Sequence, residues 1–274
     1  MSEPACILVV YDSCRLDTMR RALPRMPALQ RLAGWSDAGV EARHSYATWT
    51  IPSHQCLAAG LLPFVAGTAP AAFEYAQQFD AWDRRFPGRN LRASIAQTIP
   101  ARWSLPVALR NAGVLSGAIV SMPCLGRGSP FHMVGGWEVF DRVDHRSPLA
   151  RVSTEVVNRG GWDRPWFWLL NLGATHWPYG RGDLPYQAGA GGAAARREYG
   201  LVTASAGELH AAQVDALVST DADVGAMLDA IPAGSTVIVT SDHGELFGED
   251  GLFGHGPYPH PLLLSVPYIE AAKP

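Results

Sequence analysis

Short apolar runs alternate along this chain with stretches in which apolar residues recur every three to four positions. Runs of strand length that are apolar at successive positions are typical of strands covered on both faces. We predict strands at Ile7–Tyr11, Glu41–Ala47, Ser116–Met122, Trp137–Phe140, Pro165–Leu172 and Ser235–Thr240. We predict helices at Pro27–Leu32, Ser104–Asn111, Ala150–Val157 and, most clearly, Leu209–Ile231. This alternation favours an α/β fold, a three-layer α/β/α sandwich with a mostly parallel central sheet.

No linker, charge run or repeat divides the 274 residues, so we predict a single catalytic domain spanning residues 1–274. Hydrophobic residues make up 47% of the chain and charged residues 17%, as expected for a well-buried core. The net charge of -3 gives no reason to expect a nucleic acid or an anionic membrane as partner.

Compartment signals are weak, and together they favour the cytoplasm. There is no apolar run of about 18 residues that could span a bilayer. The first residues lack the basic segment of a signal peptide. The four cysteines are scattered without the spacing of a metal site, which is typical of reduced thiols. We therefore predict a cytoplasmic protein.

Polar residues follow four of the predicted strands. In open parallel sheets, ligands bind beyond the carboxyl ends of the strands. The four polar segments are Asp12–Asp17, Thr48–His54, Thr175–His176 and Ser241–His243. We expect them to meet at one edge of the sheet and to form a site there.

Asp12, Asp242 and His243 offer two carboxylates and one imidazole. This set suits a divalent ion of intermediate hardness, zinc or manganese, better than calcium, which prefers oxygen ligands alone. The alternative is that both aspartates cap helices and that His243 is a polar core residue. Local sequence leaves both interpretations open.

Thr50 is the candidate nucleophile. Pro52 favours the first turn of a helix, which places Thr50 at or just before a helix N-terminus, where an anionic group such as phosphate is stabilised. A threonine hydroxyl needs a base or a metal to become nucleophilic at neutral pH. A simple helix cap is the alternative.

Two histidines and an arginine are candidates for the substrate side of the site. His176 and His255 could hold the substrate, protonate the leaving group or complete a second metal site. Arg15 could pair with an anionic substrate or with Asp17.

Together these segments resemble the sulfatase branch of the alkaline phosphatase superfamily. The closing segment is similar to that of lipoteichoic acid synthases and phosphoethanolamine transferases. The resemblance rests on Asp12–Asp17, Thr50–His54 with Gly60–Pro63, Thr175–Tyr179, Ser241–Glu245 with Gly254–Gly256, and Val266–Ile269. It covers almost the whole chain, in order, and implies an alkaline-phosphatase-like fold.

The resemblance also implies residue roles. Asp12, Thr50, Asp242 and His243 would hold one divalent ion, with zinc or manganese favoured, magnesium or calcium as alternatives and a weaker second ion left open. The catalytic residues would be Thr50, His176 and His255. Substrate binding would fall to Arg15, His54 and His176.

The site departs from the sulfatase pattern at two residues, and the change at Thr50 favours a phosphate ester over a sulfate ester as substrate. Thr50 replaces the cysteine that becomes formylglycine, and Ser13 replaces the second aspartate of the opening pair. By the same resemblance we expect the C-terminal sulfatase subdomain to be absent and the site to be either open or covered by a homo-oligomer or another protein partner.

We therefore predict a metal-dependent phosphoester hydrolase or phosphotransferase that acts through a phospho-threonine on Thr50. Its substrate would be a small soluble metabolite or biosynthetic intermediate, with neither nucleic acid nor membrane as partner. The alternatives are a sulfatase or phosphonate-type hydrolase on the same site, and a non-catalytic metal-binding accessory protein.

Overall fold

A seven-stranded sheet forms the centre of the protein. A computed structural model describes residues 5–59, 104–126, 136–143, 164–179, 186–187, 201–202, 204–256 and 260–274. Its strands are β1 Ala5–Tyr11, β2 Glu41–His44, β3 Leu115–Val120, β4 Val139–Arg142, β5 Trp166–Leu172, β6 Tyr186–Gln187, β7 Leu201–Val202, β8 Thr236–Ser241, β9 Leu246–Phe247, β10 Phe253–Gly254 and β11 Ser265–Ala272. Its α-helices are α1 Leu16–Ala22, α2 Pro27–Trp35, α3 Thr50–Ala59, α4 Leu105–Asn111, α5 Ala206–Val218, α6 Asp221–Ala230 and α7 Pro261–Leu264.

The sheet has the strand order β2-β11-β8-β1-β5-β3-β4. Strand β11 runs antiparallel to both of its neighbours, and the other pairs recorded within the sheet are parallel. The predicted α/β class with a mostly parallel sheet is therefore confirmed. The short pairs β9–β10 and β6–β7 lie outside this sheet.

Helices cover the sheet on both faces. On one face, Met19 of α1, Leu29 of α2 and Leu217 of α5 belong to the same buried cluster as Val9 of β1. On the other face, Ala58 of α3 packs against a second buried cluster, which is built on β3 and β5. Because strands buried on both faces must be apolar throughout, this arrangement explains the continuous apolar runs of the sequence.

The predicted helix Leu209–Ile231 is wrong in one respect, because the structure divides it into α5 and α6. The break falls at Ser219 and Thr220, whose hydroxyls donate to the carbonyls of Ala216 and Leu217 at 2.6 and 2.7 Å. The Thr220 hydroxyl also lies 2.8 Å from the hydroxyl of Tyr11. Short hydroxyl side chains compete in this way with the helical backbone ladder, and apolar periodicity does not register the competition.

The other predicted elements differ from the structure mainly at their ends. Strand β2 stops at His44 rather than at Ala47, because the Ser45 hydroxyl bonds to the carbonyl of Ala47 and turns the chain. The predicted helix Ala150–Val157 and the Gly60–Pro63 motif lie outside the described residues. The single domain over residues 1–274 stays a prediction.

The structure also shows the length of the helices and the state of the cysteines. Within the described ranges, no helix is long and apolar enough to cross a membrane. All four cysteines fall within these ranges, and each is a free thiol.

Candidate active site

The carboxyl ends of β1 and β8 place two aspartates side by side. These neighbouring strands are parallel, with Tyr11 opposite Ser241, so Asp12 and Asp242 leave the sheet at the same point. Helix α3 begins at Thr50 and brings its first turn to the same place. The predicted meeting of polar segments at one sheet edge is thus observed.

Asp12, Asp242 and His243 form a cluster in which one potential ligand atom from each lies within 4.8 Å of the others. All three side chains are buried. The His243 Nε2 atom lies 3.8 Å from Asp12 Oδ1 and 3.5 Å from Asp242 Oδ2. Among the described residues this is the cluster with the spacing of a metal site.

Thr50 completes this group. Its Oγ1 atom lies 3.3 Å from Asp12 Oδ1 and 3.3 Å from His243 Nε2. Because Thr50 is the first residue of α3, first-turn backbone N–H groups and the positive end of the helix dipole lie beside its hydroxyl. The hydroxyl is therefore placed between two atoms that can accept a hydrogen bond and next to a region that stabilises anions.

His243 presents a bare nitrogen to the cluster. Its Nδ1 atom is 2.8 Å from the carbonyl oxygen of Gly244, which can only accept, so the ring proton sits on Nδ1. Burial, and then the charge of His255, lowers the pKa of His243 to about 3. Position 244, directly after His243, is a glycine because a Cβ there would lie 2.0 Å from the carbonyl oxygen of Leu262.

The two carboxylates differ in their partners. Asp242 Oδ1 accepts the backbone N–H groups of Ser13 and His243, whereas Asp242 Oδ2 is buried and accepts no hydrogen bond. Burial, and then the nearby Asp12 charge, raises the pKa of Asp242 well above its ordinary value. Burial also acts to raise the pKa of Asp12, but His176 and His243 outweigh it and hold that pKa low.

This donor set fits a divalent metal ion. Two adjacent buried carboxylates repel each other, and an orphaned buried oxygen is costly, so the cluster is unsatisfied by protein groups alone. Oxygens from Asp12, Asp242 and Thr50 and the Nε2 atom of His243 point to a cation that accepts mixed nitrogen and oxygen ligands.

His176 and His255 lie beside the cluster, as predicted. The ring centroid of His255 is 4.4 Å from that of His243 and 5.2 Å from that of His176. The His255 Nδ1 atom lies 3.3 Å from both carboxylate oxygens of Glu245, which is buried. The roles of both histidines stay predictions.

Arg15 is directed away from the cluster. Its guanidinium donates to both carboxylate oxygens of Asp17 at 2.8 Å and pairs with Glu249. It also lies over the ring of Phe247. This geometry corresponds to the alternative pairing with Asp17, and substrate binding by Arg15 stays a prediction.

His54 lies beneath the nucleophile rather than at the surface. It is fully buried, with Nδ1 at 2.9 Å from the Thr50 carbonyl and Nε2 at 3.3 Å from Asn171 Nδ2. Burial lowers the pKa of His54, so the imidazole is held neutral. Both nitrogens face protein atoms, and a substrate contact by His54 stays a prediction.

Sequence analysis missed the buried polar residues that support the site. Asn171 reaches Asp12, and Gln213 of α5 donates to the carbonyls of Ser13 and Thr175. The hydroxyl of Thr175 in turn donates to the Asp12 carbonyl. Asn171 had a usable signal, a lone amide inside an apolar strand, whereas Gln213 reads as an ordinary polar position on a helix.

Solved structures similar to this chain share one superfamily. A protein in the alkaline phosphatase superfamily from Vibrio parahaemolyticus matches with a TM-score of 0.60 at 12% identity, over 100% of this chain and 61% of its own. The C-terminal periplasmic domain of EptC from Escherichia coli, in complex with Zn, matches with a TM-score of 0.61 at 14% identity, over 100% and 74%. The soluble domain of lipooligosaccharide phosphoethanolamine transferase A from Neisseria meningitidis matches with a TM-score of 0.60 at 15% identity, over 100% and 78%.

The chain has the alkaline phosphatase superfamily fold. It spans less than two thirds of the length of the Vibrio parahaemolyticus protein. A 2-O GAG sulfatase is also among the similar structures of this superfamily. No protein-family model matches the sequence, and no curated protein does.

The predicted cytoplasmic location is wrong by this comparison. Several of these alkaline phosphatase superfamily structures are described as periplasmic domains, from Escherichia coli and from Campylobacter jejuni. Their location points away from the cytoplasm. The prediction failed because it rested on weak signals, namely scattered thiols and the composition of the first residues.

Proposed function

We propose that this protein is a metal-dependent phosphoester hydrolase or phosphotransferase that forms a covalent phospho-threonine on Thr50. The observation that carries the proposal is the position of Thr50 Oγ1, 3.3 Å from both Asp12 Oδ1 and His243 Nε2 at the start of α3. The phosphoethanolamine transferases and sulfatases among the similar structures support ester transfer or hydrolysis in general.

Asp12, Thr50, Asp242 and His243 would hold one divalent ion. When bound, such an ion neutralises the two carboxylates, acidifies the Thr50 hydroxyl and stabilises negative charge on the phosphoryl oxygens. The zinc complex of the Escherichia coli domain supports zinc. Manganese is proposed as the second choice from the donor chemistry.

The reaction proceeds as an in-line displacement at phosphorus. The Thr50 hydroxyl would release its proton to solvent, and Oγ1 would form the new bond to phosphorus while the bond to the leaving oxygen breaks. His176 or His255 donates a proton to the leaving oxygen. Water or an acceptor hydroxyl would then attack the phosphorus and give its proton to the same histidine, while the bond between phosphorus and Thr50 Oγ1 breaks and Thr50 is restored. The identity of that acceptor distinguishes hydrolase from transferase.

Phosphate is preferred over sulfate because of the nucleophile. A threonine side chain cannot form the aldehyde hydrate that sulfatases use, whereas a hydroxyl can carry a phosphoryl group. A sulfatase or phosphonate-type hydrolase is the second candidate, because one of the similar structures is a sulfatase. We further propose a small soluble phosphoester as substrate and a location outside the cytoplasm.

The test uses metal-stripped protein refilled with zinc, manganese, magnesium or calcium. Hydrolysis of p-nitrophenyl phosphate, its phosphodiester and phosphonate analogues and its sulfate is compared with that by Thr50→Ala and Thr50→Ser. We expect metal-dependent cleavage of one phosphorus ester, a loss on the order of 10⁴-fold or more in Thr50→Ala and partial activity in Thr50→Ser.

Mass spectrometry of the quenched reaction should show one added phosphoryl group on the peptide that contains Thr50. Near-normal turnover by Thr50→Ala would refute the proposal. Metal binding without turnover of any ester would instead favour the accessory protein, or a transferase that requires its own acceptor.

A further inference from the structure

Asn171 connects the site to the centre of the sheet. It is the penultimate residue of β5, between β1 and β3, and it is fully buried. Its Nδ2 atom lies 3.1 Å from Asp12 Oδ2 and 3.3 Å from His54 Nε2. One amide group therefore contacts a candidate metal ligand and the histidine beneath the nucleophile.

The orientation of this amide follows from its neighbours. The backbone N–H groups of Ser121 and Met122 lie 3.3 and 3.1 Å from Asn171 Oδ1. Because an N–H group can only donate, the amide oxygen must face β3 and the NH₂ group must face the site. Asn171 thus uses both amide hydrogens inside the site, one toward Asp12 and one toward His54.

The same logic fixes the tautomer of His54. Its Nε2 atom faces a donor and accepts, so the ring proton sits on Nδ1, which lies 2.9 Å from the Thr50 carbonyl. The Nδ1 atom is also 3.4 Å from Asp242 Oδ2. Asn171 therefore orients the histidine that bonds to the backbone of the nucleophile Thr50 and lies next to the second carboxylate.

Both carboxylates of the cluster have one oxygen engaged by N–H donors. Asp12 Oδ2 is taken by Asn171, and Asp242 Oδ1 is taken by the backbone of Ser13 and His243. The other oxygen of Asp12, Oδ1, accepts only the hydroxyls of Ser13 and Thr50, at 3.2 and 3.3 Å, and Asp242 Oδ2 accepts no hydrogen bond. These two oxygens are the candidate ligands for a cation. With the Thr50 hydroxyl and His243 Nε2, these make four donor atoms, the number that zinc uses, whereas calcium takes six to eight oxygens and often binds a carboxylate through both.

We propose that Asn171 is a positioning residue that holds Asp12 as a single-oxygen ligand and thereby selects a four-coordinate ion over calcium. This inference rests on the metal site of the proposed function and goes further, because it assigns metal selectivity to a residue that contacts no metal. Asn171→Asp keeps the size of the side chain and the acceptor for β3, but it removes both N–H donors and adds a carboxylate beside Asp12. Asn171→Leu removes the same donors without adding a charge, so the two variants together separate the loss of hydrogen bonds from the added charge.

The experiment measures metal binding directly, without any ester. Zinc affinity is measured by competition with a chromophoric chelator and calcium affinity by titration calorimetry, on metal-stripped wild type, Asn171→Asp and Asn171→Leu. Asn111→Asp is the matched control, since Asn111 is exposed on α4. The visible absorption of bound Co²⁺, which weakens as coordination number rises, reports the geometry.

We expect zinc affinity to fall by about 10- to 100-fold in Asn171→Asp and Asn171→Leu, as for other residues that orient metal ligands. Calcium affinity should be unchanged or higher in Asn171→Asp. Co²⁺ bound to this variant should absorb more weakly than Co²⁺ bound to the wild type. Asn111→Asp should match the wild type in every readout.

Equal losses of zinc and calcium affinity, or an unchanged Co²⁺ spectrum, would overturn the inference. So would a wild type that binds calcium as tightly as zinc, or no metal at all. Thermal unfolding of the metal-free variants shows whether they fold. If Asn171→Leu does not fold, Asn171→Asp alone decides. A wild type that prefers zinc but cleaves no ester would count against the proposed hydrolase activity and leave this inference standing.

Discussion

Two polar clusters, one fully buried and one partly exposed, lie close together at the carboxyl edge of the sheet, and they differ in how far protein groups satisfy their charges. The metal-site cluster comprises Asp12, Thr50, Asp242 and His243. The Arg15 cluster comprises Arg15, Asp17 and Glu249. Two residues, Ser13 and Cys14, separate Asp12 of the first cluster from Arg15 of the second along the chain.

In the Arg15 cluster each charge has an opposite charge as partner. Both Asp17 oxygens and one Glu249 oxygen accept from the guanidinium, and the other Glu249 oxygen accepts the backbone N–H of Phe247. In the metal-site cluster two like charges face each other, and Asp242 Oδ2 has no hydrogen-bond partner. A cluster in which every charge has a partner usually has a structural role. A cluster that contains an unpartnered buried oxygen is typical of a ligand-binding site.

The largest expected difference between the two clusters is in how zinc changes the free energy of unfolding, and Asp242→Asn tests it. At a free zinc concentration about 1,000 times Kd, wild type should gain about 4 kcal/mol of unfolding free energy. The variant should gain almost none. Without metal, the variant should be more stable than wild type because the repulsion between Asp12 and Asp242 is removed. Urea unfolding with and without zinc measures both effects.

Asp229→Asn is the control for this experiment, because Asp229 is an exposed partner of Arg31. It should respond to zinc like the wild type. A zinc response that survives in Asp242→Asn would show that the cluster is not the metal site.

Arg15→Met should affect the other property. It should lower the free energy of unfolding and change the zinc affinity little. Removing the guanidinium leaves Asp17 and Glu249 without their charged hydrogen bonds, at a cost of about 2 kcal/mol, since both carboxylates can still reach water. The control is Arg25→Met, which breaks the exposed pair with Asp215 and should cost at most about 1 kcal/mol.

Urea unfolding of metal-free protein and chelator competition for zinc measure the two properties separately. If Arg15→Met lost zinc affinity by as much as Asp242→Asn does, the distinction between the clusters would be wrong.

A smaller effect concerns the pH dependence of stability. Partial burial acts to raise the pKa values of Asp17 and Glu249, but the hydrogen bonds from Arg15 outweigh it and hold both below their ordinary values of 3.8 and 4.5. The unfolded chain therefore binds more protons, and this contribution is complete above about pH 5 and is lost as pH falls further.

Wild type should thus lose stability more steeply than Arg15→Met between about pH 5 and pH 3 in metal-free buffer. Urea midpoints across this range give the two slopes. Parallel slopes would mean that Arg15 does not stabilise the two carboxylates in their charged form.

Much of the fold was predictable because the signals are local. Continuous apolar runs predicted β1, β5 and β8, and the motif after each run placed Asp12, His176 and Asp242 at one edge. The Pro52 signal placed Thr50 at the start of α3, as observed. Each of these inferences uses a few consecutive residues and one general property of parallel sheets.

Other features depend on residues far apart in the chain. The break between α5 and α6 is fixed in part by Tyr11, 209 positions from Thr220, and Asn171 reaches Asp12 across 159 positions. Arg15 turned away from the cluster because Asp17 and Glu249 both reach its guanidinium.

The sequence by itself determined most strands of the central sheet, several helices and the order in which ligand-type residues leave the sheet. The tertiary structure decided which of those residues meet, which oxygen of each carboxylate is already engaged, and which charges find partners. Periodicity and motifs record what a residue does along its own strand or helix. Hydrogen bonds between distant residues depend on strand register and helix packing, which exist only once the chain has folded.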